Sequence, residues 1–123
     1  MLTTHSPVIG TSELGELLLV EVRDGIDGEV TGDLRDVLAW AVDRYDGVVV
    51  DLSGVTSIDR PGLGMLLQVQ DRAHLRGSRI CFASPSAALV DALTDLRADA
   101  LFEMFDRRSA AIARLRELAA PVG

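Results

Sequence analysis

Six residues, Asp59-Arg60-Pro61-Gly62-Leu63-Gly64, follow the apolar run Val48-Val49-Val50-Asp51-Leu52 and set a carboxylate, a guanidinium, a proline and two glycines at one strand-to-helix turn. The chemistry open to this set is recognition rather than bond breaking. Asp59 is a natural helix cap. Pro61 suits a first helical turn, where an N–H would have no partner, and its ring fixes φ. Arg60 could pair with a partner carboxylate, hold an anion at the helix N-terminus, or simply be a solvated surface arginine. Gly62-Leu63-Gly64 lacks the third glycine of a dinucleotide fingerprint, so close packing of helix on strand explains it better. Ser57, two residues before Asp59, is the nearest hydroxyl upstream; it is discounted as an acceptor because it is placed at a strand end rather than on the exposed loop.

Other chemistry is excluded by what is missing. All twelve basic residues are arginines, which removes a P-loop, a Schiff-base lysine and any step that needs an ammonium group. A receiver-type phosphoacceptor strand ending at Asp51 fails on the same ground, and Leu52-Ser53-Gly54 is not the sequence expected after it. No nucleophile and base stand in a recognisable arrangement, so no enzymatic activity is expected. His5, in the N-terminal tail, and His74, late in a helix, have no motif partner and read as surface residues; no metal site and no cofactor are expected. The single cysteine, Cys81, lies in the apolar run Ile80-Cys81-Phe82-Ala83 and reads as a buried structural thiol. A net charge of −7 argues against direct nucleic-acid binding and favours a protein partner. The start has neither a basic segment nor an apolar stretch of the signal-peptide kind, and no apolar run suggests a membrane span, so a cytoplasmic location is the expectation.

The elements that must position the loop alternate in period. Residues 16–22, with Leu17-Leu18-Leu19-Val20, read as a strand covered on both faces, preceded by an edge strand over about residues 8–13. Asp24-Gly25 reads as a hairpin turn or as a bulge before Ile26-Asp27. Helical spacing over residues 31–45 gathers Leu34, Val37, Leu38, Ala41 and Tyr45 on one face, with Asp46-Gly47 as the stop. Trp40 falls off that face. The helix that starts near Pro61 would turn Leu63, Leu66, Leu67, Gln70 and Ala73 to the sheet and end at Gly77. A strand over residues 79–83 precedes Ser84-Pro85, read as the pair that starts a helix through Leu89, Leu93 and Leu96. A short strand over residues 101–105 and a last helix over residues 109–119, carrying Ile112, Leu115 and Leu118, complete an α/β chain with a mainly parallel sheet. Residues 1–123 are read as one domain, with residues 1–14 as an N-terminal segment.

The order and spacing of several pieces resemble the STAS domain of bacterial anti-sigma factor antagonists. They are Gly25-Ile26-Asp27, the strand Val48 onward with Ser53-Gly54-Val55, Ile58-Asp59 with Gly62-Leu63-Gly64, Gly77, Ser84-Pro85 and Leu101-Phe102. The resemblance spans residues 15–118 and implies a four- to five-stranded sheet packed against about four helices. It also implies that Asp27, Asp59, Arg60, Pro61, Gly62, Leu63, Gly64 and Ser84 belong to a partner-binding surface. Members of the family carry a serine or threonine where this chain has Pro61. Phosphorylation there adds roughly −1.5 to −2 charges and breaks a complex with an anti-sigma factor that is also a serine kinase. With Pro61 in the slot, the usual phosphoacceptor is absent. The resemblance thus implies a regulator of sigma-factor-dependent transcription that binds an anti-sigma factor without the usual switch. Two other readings stand beside it: a domain that senses an anion or nucleotide through Arg60, and a scaffold subunit of a signalling assembly with a homodimer interface on its acidic surface or last helix.

Overall fold

A computed structural model describes residues 8–119 of the chain; His5 and most of the N-terminal segment lie outside them. Nine elements follow in order: β1 (Ile9–Leu14), β2 (Leu17–Val22), α1 (Gly28–Arg44), β3 (Gly47–Asp51), α2 (Arg60–Arg76), β4 (Arg79–Ala83), α3 (Ala87–Asp95), β5 (Met104–Phe105) and α4 (Arg108–Ala119). The five strands lie side by side in chain order, with β1 antiparallel to β2 and every later pairing parallel. This is the α/β fold with a mainly parallel sheet that the alternation of periods anticipates.

Strand periodicity divides the core in two. Leu18, Val20 and Val22 of β2, Val48 and Val50 of β3, and Ile80 and Phe82 of β4 point to the face covered by α1, α2 and α3. Leu17, Leu19, Val49, Cys81 and Ala83 point to the other face, where Ala111 and Leu115 of α4 meet them. Both faces of the parallel strands are therefore dry, which is why the sequence reads there as unbroken apolar runs instead of an alternation.

Several boundaries differ from the sequence expectation. The β1–β2 turn falls at Gly15, in left-handed backbone at φ 67°, whereas Asp24-Gly25 is a bend that carries the chain from β2 to an isolated bridge at Ile26. Helix α1 begins at Gly28 and buries Val42 in place of Tyr45, which is the extended C-cap residue. Gly47 is not a helix stop; it opens β3, where a Cβ would come within 2.8 Å of Leu17 Cδ2 and 3.0 Å of Leu115 Cδ1. Helix α2 is rotated from the expected face: Gly62, Met65, Leu66, Val69 and Ala73 are buried, and Leu63, Leu67 and Gln70 lie half-buried along its edge. Its end at Gly77, in αL conformation, is as read. Helix α3 is capped by Ser86 rather than by Ser84-Pro85, Leu96 is its C-cap, Leu101 is 48% exposed outside the two-residue β5, and Leu118 is 37% exposed.

Candidate functional site

The Asp59 turn is built by a parallel bridge between Ile26 and Ile58, formed beyond the ends of β2 and β3. The Ile26 amide donates to the Ser57 carbonyl at 2.9 Å, and the Asp59 amide donates to the Ile26 carbonyl at 3.3 Å. Each bridge partner is followed at once by a helix N-cap, Asp27 for α1 and Asp59 for α2. Two helix starts and two exposed carboxylates thus meet on one surface, although Asp27 and Asp59 are far apart in sequence.

The two aspartates do different local work. The Asp59 side chain accepts from the Gly62 amide at 2.7 Å and its carbonyl accepts from the Leu63 amide at 2.9 Å, closing the first turn of α2. Pro61 sits second in that turn, exposed, where its missing N–H leaves no bond unmade. Asp27 makes no side-chain cap bond, so its carboxylate is left to the surface. Arg60 is exposed too, and among the described residues no carboxylate pairs with it. The surface offered here is therefore two carboxylates, one guanidinium and a proline ring, held on stiff helix starts.

Gly62 is the pivot of this arrangement. A Cβ there would stand 2.4 Å from the Ile26 carbonyl oxygen and 3.0 Å from Asp59 Oδ1, so only glycine lets α2 approach the bridge this closely. Gly64 differs: a Cβ at that position meets nothing within 4 Å, and close packing does not account for it. Leu63 is half-buried against the main core.

Ser57 is exposed and belongs to the loop, because β3 already ends at Asp51; its expected place at a strand end is corrected here. Its hydroxyl lies over Gly25, at 2.3 Å from where a Cβ would be. Ser84 stands apart, at the C-terminal end of β4 with φ 56° and its amide donating to the Phe105 carbonyl. The serine that does reach the loop is Ser86, whose hydroxyl donates to the Val55 carbonyl at 2.7 Å and accepts from the Leu89 amide at 3.1 Å.

A second polar cluster lies at the same strand ends but on the α4 face. Asp51, 5% exposed, takes both Nε and Nη2 of Arg108 on Oδ2, at 3.0 and 2.6 Å, and the Ser53 amide on Oδ1 at 2.9 Å. Arg108 also meets Glu21 at 3.1 Å. Burial raises the Asp51 carboxyl, but the Ser53 amide and the Arg108 guanidinium outweigh it and hold the group below its ordinary range. An aspartate alone in an apolar strand signals a buried partner. The spacing of 57 residues does not say which arginine supplies it.

Cys81 is buried as expected, and desolvation pushes its thiol up to about 12. His74 is exposed. Trp40 is half-buried, packed on Tyr45 at 5.8 Å between ring centroids with the Arg44 guanidinium 5.1 Å from its own. Among the described residues no group of His, Cys, Asp and Glu is placed to hold a metal ion, and no helix is long and apolar enough to cross a membrane.

A family model described as "Mlab, STAS domain" matches residues 9–104. No curated protein matches the chain. Among solved structures, a Thermotoga maritima protein described as a candidate anti-sigma factor antagonist is 17% identical over 89% of this chain and 96% of its own, with a TM-score of 0.78. The unphosphorylated anti-sigma factor antagonist SpoIIAA is 12% identical over 91% of this chain and 99% of its own, at 0.74; its phosphorylated form, from Bacillus, superposes at 0.68. A sulfate transporter family protein from Wolinella succinogenes is 22% identical over 84% of this chain and 87% of its own, at 0.71. At these identities the likeness is one of fold.

Proposed function

Because the chain belongs to the STAS domain family, we propose that it is a protein-binding regulator whose partner is an anti-sigma factor of the serine-kinase type, and that it thereby controls sigma-factor-dependent transcription. The observation that carries this role is the junction at the Ile26–Ile58 bridge. There Asp27, Asp59, Arg60 and Pro61 are exposed together on two helix starts, a charged surface suited to a protein partner. Fold likeness to SpoIIAA in both phosphorylation states supports the same role.

Pro61 occupies the slot that the family uses for phosphorylation, so complex formation is insensitive to the partner's kinase activity. Arg60 supplies the charge-directed part of recognition, pairing with a carboxylate of the partner. Ser84 is a weaker candidate than the loop residues, because its amide and its left-handed backbone are committed to β5.

Incubation of the chain with its cognate anti-sigma factor and ATP, followed by native and intact mass spectrometry, tests this. A stable complex with no added phosphate is expected, weakened at least tenfold by Arg60→Glu or Asp59→Arg. Phosphate transfer to the chain would refute insensitivity to the kinase, and the absence of any complex would refute the role itself.

A second reading draws on the likeness to the sulfate transporter family protein: anion binding at Arg60 and the α2 N-terminus. Calorimetric titration with sulfate, phosphate and nucleotides separates the two, since a flat titration removes it.

A further inference from the structure

Helix α4 is the only helix on its side of the sheet among the described residues, and its attachment is slight. Ala111 and Leu115 are the two of its described side chains that are fully buried, with Ile112 partly buried beside them. By contrast α1 buries five residues on the opposite face. What fixes α4 at its start is Arg108, its first residue. The guanidinium spans Asp51 at the end of β3 and Glu21 on β2, two carboxylates paired across adjacent parallel strands. Take Arg108 away and those like charges face each other, one of them 5% exposed and without a counter-ion. The clamp and the small apolar contact thus hold α4 together, and directly beneath them lies Cys81 at 0% exposure.

The geometry points to α4 as a strap latched by Arg108 over the back face of the sheet, which opens as a unit while the α1–α2–α3 layer stays folded. Regions with few buried apolar contacts open at a free energy well below that of global unfolding. The main core shares no buried residue with the one under α4, so opening leaves the larger cluster intact.

The chain carries its own reporter, because it has a single cysteine and that cysteine lies under the strap. While α4 is closed the thiol is both inaccessible and protonated; once open, it has an ordinary thiol's reactivity. The test is alkylation of the full chain by N-ethylmaleimide at rising sub-denaturing urea, read by intact mass. With a strap, the wild-type rate rises with urea at a slope well below that of global unfolding, because only the surface under α4 is exposed, and it exceeds the rate that global unfolding allows. A rate that rises with urea at the full global slope from the start would overturn the latch. Asp51→Asn, which keeps an acceptor for the Ser53 amide, and Arg108→Gln should each raise the low-urea rate about tenfold, a moderate value because the Arg108 side chain is 41% exposed. Arg72→Gln, which breaks an ion pair on the α1–α2 side, should leave that rate unchanged. Equal effects from all three variants would also overturn the proposal. If a variant does not fold, the wild-type urea dependence decides alone.

Discussion

Two glycines two residues apart give opposite expectations. Gly62→Ala forces a Cβ against the Ile26 carbonyl at 2.4 Å, and because the obstacle is backbone it cannot swing aside. A loss of about 1–3 kcal/mol is expected from such overpacking, measured as the shift of a urea midpoint. Gly64→Ala meets open space within α2 and should raise stability by up to about 1 kcal/mol, since alanine loses less backbone freedom in a helix. A loss of comparable size at both positions would disprove the close approach of α2 to the bridge. The pattern Gly-Leu-Gly could not distinguish the two, because the difference lies in a carbonyl brought over from Ile26. Asp59 was legible as a cap from its place before Pro61. Its neighbour Asp27 was not placeable by periodicity, and only the bridge brings the two together.

At the level of elements, strands β3 and β4 are legible almost to the residue, since continuous apolar runs flanked by polar turns leave little choice of register. Helix α2 is legible in extent but not in rotation. Its apolar residues Leu63, Met65, Leu66, Leu67 and Val69 cover more than one face, and the demand that Gly62 face Ile26 selects among them. Helix α3 shows the same limit at its start, where Ser84, Pro85 and Ser86 all satisfy a cap pattern and the bond from Ser86 to the Val55 carbonyl decides. Ser86→Ala removes the cap on Leu89 and that cross-link together, and a loss of about 1–2 kcal/mol is expected. Ser84→Ala, a hydroxyl without either bond, should cost less; the reverse ranking in thermal denaturation would show the cap misassigned.

For the whole molecule, acid response depends on one buried group more than on the net charge of −7. Burial works against the Asp51 carboxylate, but the Ser53 amide and Arg108 outweigh it, so folding holds the carboxyl below its ordinary value. Its contribution is therefore complete above the unfolded value of about 4 and is lost as pH falls through the folded value. Urea midpoints followed from about pH 6 to pH 3 should fall more steeply for the wild type than for Asp51→Asn; parallel curves would show that the pair contributes nothing. The Asp43–Arg72 pair is exposed and screened, so its removal should leave the curve nearly unchanged. Trp40, the one tryptophan, is packed on Tyr45, and Tyr45 in turn donates to Glu13 of the edge strand. It lies thirteen residues along α1 from Asp27, a distance of about 20 Å at the helical rise. Its emission should therefore change when the chain unfolds and remain silent when a partner docks at the loop, so optical detection of binding calls for a dye placed near Arg60.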